Sequence, residues 1–372
     1  MKIILIPDSF KGTMSSIAVC RIMESCIKER FPQCNTVSIP IADGGEGTVD
    51  AFLHAAGTAQ KHISTVQDPY GKNVPAVLGK SGDTALIEMA SCAGLHLAGS
   101  HPDPNLTSTF GLGQLLIEAM NLNCRKIIVG LGGSCTNDGG CGMAAALGVR
   151  FFNSQGETFV PTGKTLTDIC HIDTSGLDSR LAEIELTCLC DVDNPLYGPN
   201  GAAFIFAPQK GADKAMVKHL DLGLRHLSRI VERDLQFWGA ENAGAGAAGG
   251  CGFGMKAFLG AKLQPGIEVL LDFTGFDQLL KDADFVFTGE GRLDSQSLHG
   301  KAVSGIARRA SAAGVPLIVV AGEVVADAGS LRQAGITAAY ATKGNRTDME
   351  DIRRHCQEDL IQTMKHVLAA HL

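Results

Sequence analysis

The chain has 372 residues, of which 45% are hydrophobic and 19% are charged, and its formal net charge is −7. This length is enough for two domains or one large one, and the composition is that of a globular protein. The sequence has no block of Lys and Arg, and no run of the ~20 apolar residues that a bilayer crossing needs. We therefore expect neither nucleic acid nor membrane as a partner.

The predicted elements at the two ends of the chain alternate between strand and helix. From the N-terminus, the hydrophobic pattern predicts a strand over 3–6, a helix over 15–30 capped by Ser15 or Ser16, a strand over 36–39 and a helix over 49–56. Towards the C-terminus it predicts strands over 285–288, 317–320 and 338–341, and helices over 301–313 and 349–370. This order indicates a parallel sheet with helices on its faces.

The middle of the chain follows a different pattern. It predicts short antiparallel strands within 67–86, a helix over 110–120, a strand over 126–129, a long helix over 215–238 and a flexible Gly/Ala-rich loop over 239–254. We therefore predict an α/β fold with two domains. Residues 1–66 and 280–372 would form a Rossmann-like three-layer domain, and 67–279 an inserted α/β domain.

Polar segments follow the first two predicted strands. Asp8 and Lys11 lie at the carboxyl end of the first strand, where ligands bind in open α/β sheets. Asp8 is suited to orienting a hydroxyl or a metal-bound water, and Lys11 to binding a carboxylate or phosphate. Asp43, in the loop 42–48, is suited to acting as a base or a magnesium ligand. The structural alternatives are a capped turn for the first segment and a helix cap for the second.

A Gly-rich turn follows the strand over 126–129. Its candidate binding residues are Gly132, Gly133, Ser134, Thr136 and Asn137. Exposed backbone N–H groups, together with the N-terminus of a following helix, suit such a turn to phosphate. The segment matches neither the dinucleotide fingerprint nor the Walker A motif. The alternative is that the glycines allow close packing of helix against strand.

Two further segments carry carboxylates in close spacing. Asp191 and Asp193, two positions apart in an extended segment, are able to reach one cation, and the alternative is an Asx-turn before Pro195. Glu290 and Asp294 follow the strand over 285–288 and are candidate Mg²⁺ ligands. Arg292 between them is suited to holding a carboxylate or a transferring phosphate. The alternative is a surface turn with solvated charges.

The twelve cysteines form no CxxC pair, and the apolar run at the N-terminus is too brief for the core of a signal peptide, so we expect it to be a buried strand. We interpret them as small buried thiols of a reduced, cytoplasmic protein. The histidines show no spacing typical of a zinc site.

Together and in this order, the polar segments resemble those of the bacterial type-I glycerate kinases. The resemblance covers essentially the whole chain and rests on residues 7–12 (PDSFKG), 42–48 (ADGGEGT), 130–140 (GLGGSCTNDGG), 191–198 (DVDNPLYG), 206–212 (FAPQKGA) and 288–294 (TGEGRLD). Residues 342–349 depart from the family pattern. The resemblance implies a two-domain α/β enzyme with an interdomain active-site cleft.

The resemblance also implies a reaction. ATP and Mg²⁺ are expected as cofactors, and D-glycerate as an acceptor that becomes 2-phosphoglycerate, within glyoxylate or sugar-acid catabolism. The N–H groups of 132–136 would hold phosphates, and two or more of Asp191, Asp193, Glu290 and Asp294 would hold Mg²⁺. Lys11 or Arg292 would bind the glycerate carboxylate, while Asp8, Asp43 and Asp191 remain alternative bases. We expect a monomer or a homodimer.

Three other functions are weighed against this hypothesis. A glycerate 3-kinase would use the same groups and give 3-phosphoglycerate. A hydroxy-acid dehydrogenase fits a Rossmann-like sheet, but the chain lacks the dinucleotide fingerprint with its acidic residue about twenty positions later. A non-catalytic sugar-acid sensor would need an output module, and none is recognisable in the sequence.

Overall fold

The structure is a computed structural model that describes residues 1–10, 12–41, 44–45, 47–56, 59–295, 297–298 and 302–372. Within these residues the strands are β1 (Lys2–Leu5), β2 (Asn35–Ser38), β3 (Gln60–Gln67), β4 (Asn73–Ser81), β5 (Thr84–Glu88), β6 (Lys126–Gly130), β7 (Arg150–Phe152), β8 (Thr158–Phe159), β9 (His171–Asp173), β10 (Glu185–Leu189), β11 (Lys262–Gln264), β12 (Phe285–Thr288), β13 (Arg292–Leu293), β14 (Leu317–Ala321), β15 (Glu323–Val324) and β16 (Ala338–Ala341).

The helices of the described residues are α1 (Ser16–Arg30), α2 (Thr48–Ala56), α3 (Ala90–Ala93), α4 (Phe110–Asn121), α5 (Cys141–Ala146), α6 (Ala202–Phe206), α7 (Lys214–Leu235), α8 (Ala247–Leu259), α9 (Gly266–Phe273), α10 (Phe276–Leu280), α11 (Ala302–Ala312), α12 (Ala328–Gln333) and α13 (Met349–His371). Short 3₁₀ turns cover Leu95–Ala98, Leu166–Asp168, Ser179–Glu183 and Pro208–Lys210. None of these helices combines the length and the apolar character that a membrane crossing requires.

The chain divides into two compact units. The first comprises Met1–Ala42, His54–Gly57 and Pro265–Leu372, and the second comprises Asp43–Leu53 and Thr58–Gln264. The predicted domain boundaries at 66/67 and 279/280 stay a prediction.

The first unit is built on a parallel sheet with the strand order β16–β14–β12–β1–β2. Because side chains alternate across a strand, Ile3 and Leu5 pack on one face with α1 and α13. Ile4 and Ile6 pack on the other face with α9, α10 and α11. The predicted α/β fold class is confirmed, and the helix ends agree with the sequence: Ser15 caps α1, and Gly314 after α11 has a φ of +71°.

The second unit contains a mixed sheet with the order β11–β10–β6–β5–β4–β3. β11, β10, β6 and β5 are parallel, whereas β5, β4 and β3 are joined as antiparallel neighbours. Antiparallel strands within 67–86 were predicted, but β3 was missed because Gln60–Gln67 is largely polar and lies at the sheet edge. A small sheet of β8, β7 and β9 was also missed, since its strands have only two or three residues.

One predicted loop is partly helical in the structure. α8 begins at Ala247, inside the segment 239–254, and continues to Leu259. Its first turns are kinked, because Ala248, Gly249 and Gly250 have positive φ angles. Glycine content alone predicted flexibility, whereas here the glycines allow an irregular helix start to pack closely against other backbone.

Candidate active site

The loops after β1, β12 and β14 lie beside one another at the carboxyl edge of the parallel sheet. The N–H of Asp8 donates to the Gly289 carbonyl (2.8 Å), and the N–H of Gly322 donates to the Glu290 carbonyl (3.0 Å). The strand order reverses between β1 and β12, and such a switch point is where open α/β sheets bind ligands. The structure thus brings the backbones of Asp8 and Glu290 together, as the strand-end positions predicted.

Arg292 belongs to a cluster of charges at this edge. Its guanidinium lies 3.7 Å from Asp294 and 3.6 Å from Glu323, and Lys343 pairs with Glu323 at 2.9 Å. The Lys343 ammonium lowers the pKa of the Glu323 carboxyl. Because the Arg292 side chain is 61% exposed and its ion pairs are loose, it is able to turn towards an incoming anion.

Glu323 and Lys343 were not named from the sequence. They line a cavity of about 160 Å³ together with Phe10, Gly291 and Gly322. Both follow the ends of buried or half-buried strands, β14 and β16, so the strand-end rule applied elsewhere in the chain would have found them. Lys343 belongs to the segment 342–349 that departs from the family pattern.

Asp294 has partners within its own turn. Its Oδ1 accepts from the N–H of Ser297 (3.2 Å), and Ser297 Oγ donates to the Arg292 carbonyl (3.1 Å). These contacts hold Asp294 within its own turn, in line with the alternative of a surface turn for this segment. The role of Asp294 as a Mg²⁺ ligand therefore stays a prediction.

The Gly-rich turn after β6 packs against the backbone of Gly44 and Gly45. The N–H of Gly132 donates to the Gly44 carbonyl (3.1 Å), and a Cβ on Gly132 would lie 2.8 Å from Gly45. In this conformation the Gly132 N–H is used by the Gly44 carbonyl, and a role for Gly132 in phosphate binding stays a prediction. Glycine is needed at 132 because two backbone segments approach each other closely.

The residues after this turn are more buried than the sequence indicated. Thr136 and Asn137 are fully buried, and Ser134 is nearly so. Among the described residues, the hydroxyl of Thr136 and the side-chain amide of Asn137 have no hydrogen-bond partner. Such orphaned polar atoms are rare in protein interiors and give this segment unused hydrogen-bonding capacity.

The helix expected directly after the turn begins later. α5 starts at Cys141 and has six residues, because Gly139 and Gly140 adopt φ angles of +64° and +76°. The carboxylate of buried Asp138 accepts hydrogen bonds from the N–H and hydroxyl of Thr109 and from the N–H groups of Gly140 and Gly142. Burial outweighs these bonds and raises the pKa of Asp138. Because α5 is so short, the partial positive charge at its N-terminus favours a phosphate less than the sequence indicated.

Asp191 and Asp193 lie at the same sheet edge as the Gly-rich turn. β10 pairs with β6 in parallel, with Leu189 opposite Gly130. Asp191 therefore follows the end of its strand by two residues, as Gly132 does on the neighbouring strand. Both carboxylates are exposed. The Gly-rich turn and the two aspartates therefore follow neighbouring strands at one edge of the sheet.

The carboxylates fit a magnesium ion by their chemistry rather than as a preformed cage. No group of three His, Cys, Asp or Glu side chains within the described ranges is arranged to hold a metal ion. Mg²⁺ prefers oxygen ligands and is usually held by one or two carboxylates, together with phosphates and waters. Asp191 and Asp193 fit that pattern. Two further predicted site residues, Lys11 and Asp43, lie outside the described residues.

Comparison with known proteins identifies the family of this chain. The model of the glycerate kinase family matches residues 3–372. Glycerate kinase from Bacillus cereus is 43% identical over 99% of this chain and 97% of its own length, and glycerate 2-kinase from Escherichia coli K12 is 40% identical with the same coverage. The crystal structure of a proposed glycerate kinase 2 from Salmonella typhimurium LT2 has a TM-score of 0.88 and 39% identity, covering 100% of this chain and 98% of that one.

The chain has an α/β fold with polar loops at its strand ends, and it matches these relatives along its length. It is therefore a phosphotransferase that acts on an alcohol group. The chain belongs to the glycerate kinase family. Membership implies ATP as the phosphoryl donor and a small molecule as the acceptor.

Proposed function

We propose that this protein transfers the γ-phosphoryl group of ATP to the 2-hydroxyl of D-glycerate, giving 2-phosphoglycerate. The observation that carries the proposal is the pairing of β6 with β10, from which the Gly-rich turn and Asp191 emerge side by side. Phosphoryl transfer needs phosphate-binding groups close to carboxylates that hold a divalent cation. The E. coli relative named glycerate 2-kinase supports the position of transfer.

In the second unit, Ser134 and the N–H groups of 133–136 that are not used by other backbone would hold the nucleotide phosphates, with Thr136 and Asn137 beneath them. Asp191 and Asp193 would hold Mg²⁺, which when bound neutralises charge on the triphosphate. Glu290 and Asp294 stay alternative ligands. The aspartates are exposed, so an incoming metal–nucleotide complex would not have to displace a packed side chain.

In the first unit, Arg292 would bind the glycerate carboxylate through its two parallel N–H groups. Asp8, at the switch point of the sheet, is the candidate in this unit to take the proton from the attacking hydroxyl. Lys11 remains the alternative carboxylate ligand, and Asp43 and Asp191 remain alternative bases. Cytoplasmic location, a monomeric or homodimeric state and the implied interdomain cleft stay part of the proposal.

The proposed roles of Asp191 and Glu290 are tested by replacing each with its amide. We expect Asp191→Asn and Glu290→Gln to lower turnover by at least ~10²-fold, because each removes a charge that holds the cation or the reacting groups. Turnover is measured as ADP release dependent on glycerate, and folding by circular dichroism.

The matched controls are Asp168→Asn and Glu358→Gln, which remove exposed carboxylates elsewhere in the chain. Both controls should retain wild-type turnover. Near-wild-type turnover in both Asp191→Asn and Glu290→Gln would refute the assignments.

A further inference from the structure

A buried lysine lies beneath the Gly-rich turn, in a segment to which the proposed mechanism gives no role. Lys210 ends the 3₁₀ turn Pro208–Lys210 and is 2% exposed, although Pro208 and Gln209 beside it are exposed. Gly211 then reverses the chain with a φ of +97°, and a Cβ there would lie 2.0 Å from the Pro102 carbonyl oxygen. The local backbone thus directs the Lys210 side chain into the interior of the second unit.

The Lys210 ammonium joins two residues of the turn. Its Nζ donates to Ser134 Oγ (2.9 Å) and to the Thr136 carbonyl oxygen (2.7 Å). Cys135, between them, is held separately, since its N–H donates to the Ala93 carbonyl (2.9 Å). The conformation of 134–136 is therefore fixed from both sides, and Lys210 is the side chain that connects its two ends.

The charge of Lys210 is costly to bury. Desolvation lowers the pKa of Lys210 to about 8, while Cys135, Asp138 and Cys251 act in the opposite direction. For stability alone, a well-packed apolar side chain often serves as well as a buried ion. A cation at this position places positive charge beside a turn that receives phosphates. The helix that follows the turn, α5, is too short for its dipole to supply much of that charge.

We propose that Lys210 is a positioning residue for nucleotide binding: it holds Ser134 and Thr136 in the conformation that accepts the phosphates of ATP. The inference rests on the proposed function. Lys210 acts through the turn rather than by touching the nucleotide, because its ammonium is enclosed and already donates to two turn residues. Without the Lys210 ammonium, Ser134 Oγ and the Thr136 carbonyl oxygen lose their shared donor, and the turn is able to rearrange. We therefore expect ATP binding to weaken selectively.

The test is the variant Lys210→Met, which keeps the length of the side chain and removes its charge and donors. We expect KM for ATP to rise at least about tenfold, as for the loss of a hydrogen bond to a charged group, and KM for glycerate to stay within about twofold. The control Lys214→Met removes an exposed lysine four residues away and should leave both constants unchanged. Melting temperatures report folding.

A merely structural role would lower the melting temperature and the active fraction without a selective change in KM for ATP, and that result would overturn the inference. If Lys210→Met does not fold, Lys210→Gln decides instead, because its side chain is one bond shorter and carries no charge: a selective rise in KM for ATP supports the inference, and an unchanged value overturns it. A wild-type protein without glycerate-dependent ADP release would instead refute the proposed function.

Discussion

Arg292 and Lys210 are both cations next to strand-end loops, but their surroundings give them different uses. Arg292 is 61% exposed and lies 3.6 Å from Glu323 and 3.7 Å from Asp294, so its guanidinium is able to reorganise around an anionic ligand. Lys210 is enclosed and donates short hydrogen bonds to Ser134 and Thr136. One residue is therefore suited to contacting a substrate, and the other to shaping a loop that does so.

The reactivity of the cysteines tests how well the interior of the protein is packed. All twelve are free, Cys170 is exposed, and Cys190 is partly buried, while the others are buried. Burial raises the pKa of the Cys135 thiol to about 12 and also raises that of Cys190, and thiols react as thiolates. At pH 8 we expect Ellman's reagent to label Cys170 rapidly in the native protein and Cys190 more slowly.

Two controls accompany the labelling. Cys170→Ser should remove the rapid phase, and denatured protein should react at all twelve positions. Rapid reaction of several thiols in the native protein would contradict the described packing.

At the scale of the elements, the kinked start of α8 packs directly against the Gly-rich segment. The N–H of Gly139 donates to the Gly249 carbonyl (3.1 Å), and a Cβ on Gly249 would lie 2.0 Å from the Thr136 carbonyl oxygen. That same oxygen accepts from Lys210. The position of Thr136 is thus set jointly by α8 and by the turn that carries Lys210.

Gly249→Ala tests this packing. Gly249 has a φ of +66°, and any side chain there would also collide with the backbone of Thr136. Gly260→Ala is the matched control, because Gly260 has a φ of +65° but no atom within 4 Å of an added Cβ. The control should cost about 1 kcal/mol of unfolding free energy from backbone strain, and Gly249→Ala at least ~2 kcal/mol more. Equal denaturation midpoints for the two variants would contradict the close approach.

At the scale of the whole molecule, the order of elements at the chain ends was predictable because buried parallel strands are continuous apolar runs. Residues 3–6, 285–288 and 317–320 have this composition, and the structure pairs them in one parallel sheet. The same reasoning located the sheet edge where the loops that carry Asp8 and Glu290 lie side by side. This inference needs only one assumption, which is that the carboxyl ends of parallel strands lie at the same edge of a sheet.

Other features could not be derived from local pattern. Lys210 lies 74 residues from Thr136, so nothing in its neighbourhood indicates what its ammonium contacts. β3 was missed because an edge strand needs few apolar residues, and α8 because its glycines were interpreted as flexibility rather than close packing. The use of the Gly132 N–H by the Gly44 carbonyl likewise depends on a contact distant in sequence.

The central claim is that this protein phosphorylates glycerate on its 2-hydroxyl. The most direct measurement is ³¹P NMR of the purified protein with ATP, Mg²⁺ and D-glycerate, with glycerate omitted as a control. We predict a 2-phosphoglycerate resonance that grows in step with ADP and is absent without glycerate. A 3-phosphoglycerate resonance in its place would contradict the position of transfer, and ADP formed without any phosphoglycerate would contradict the activity itself.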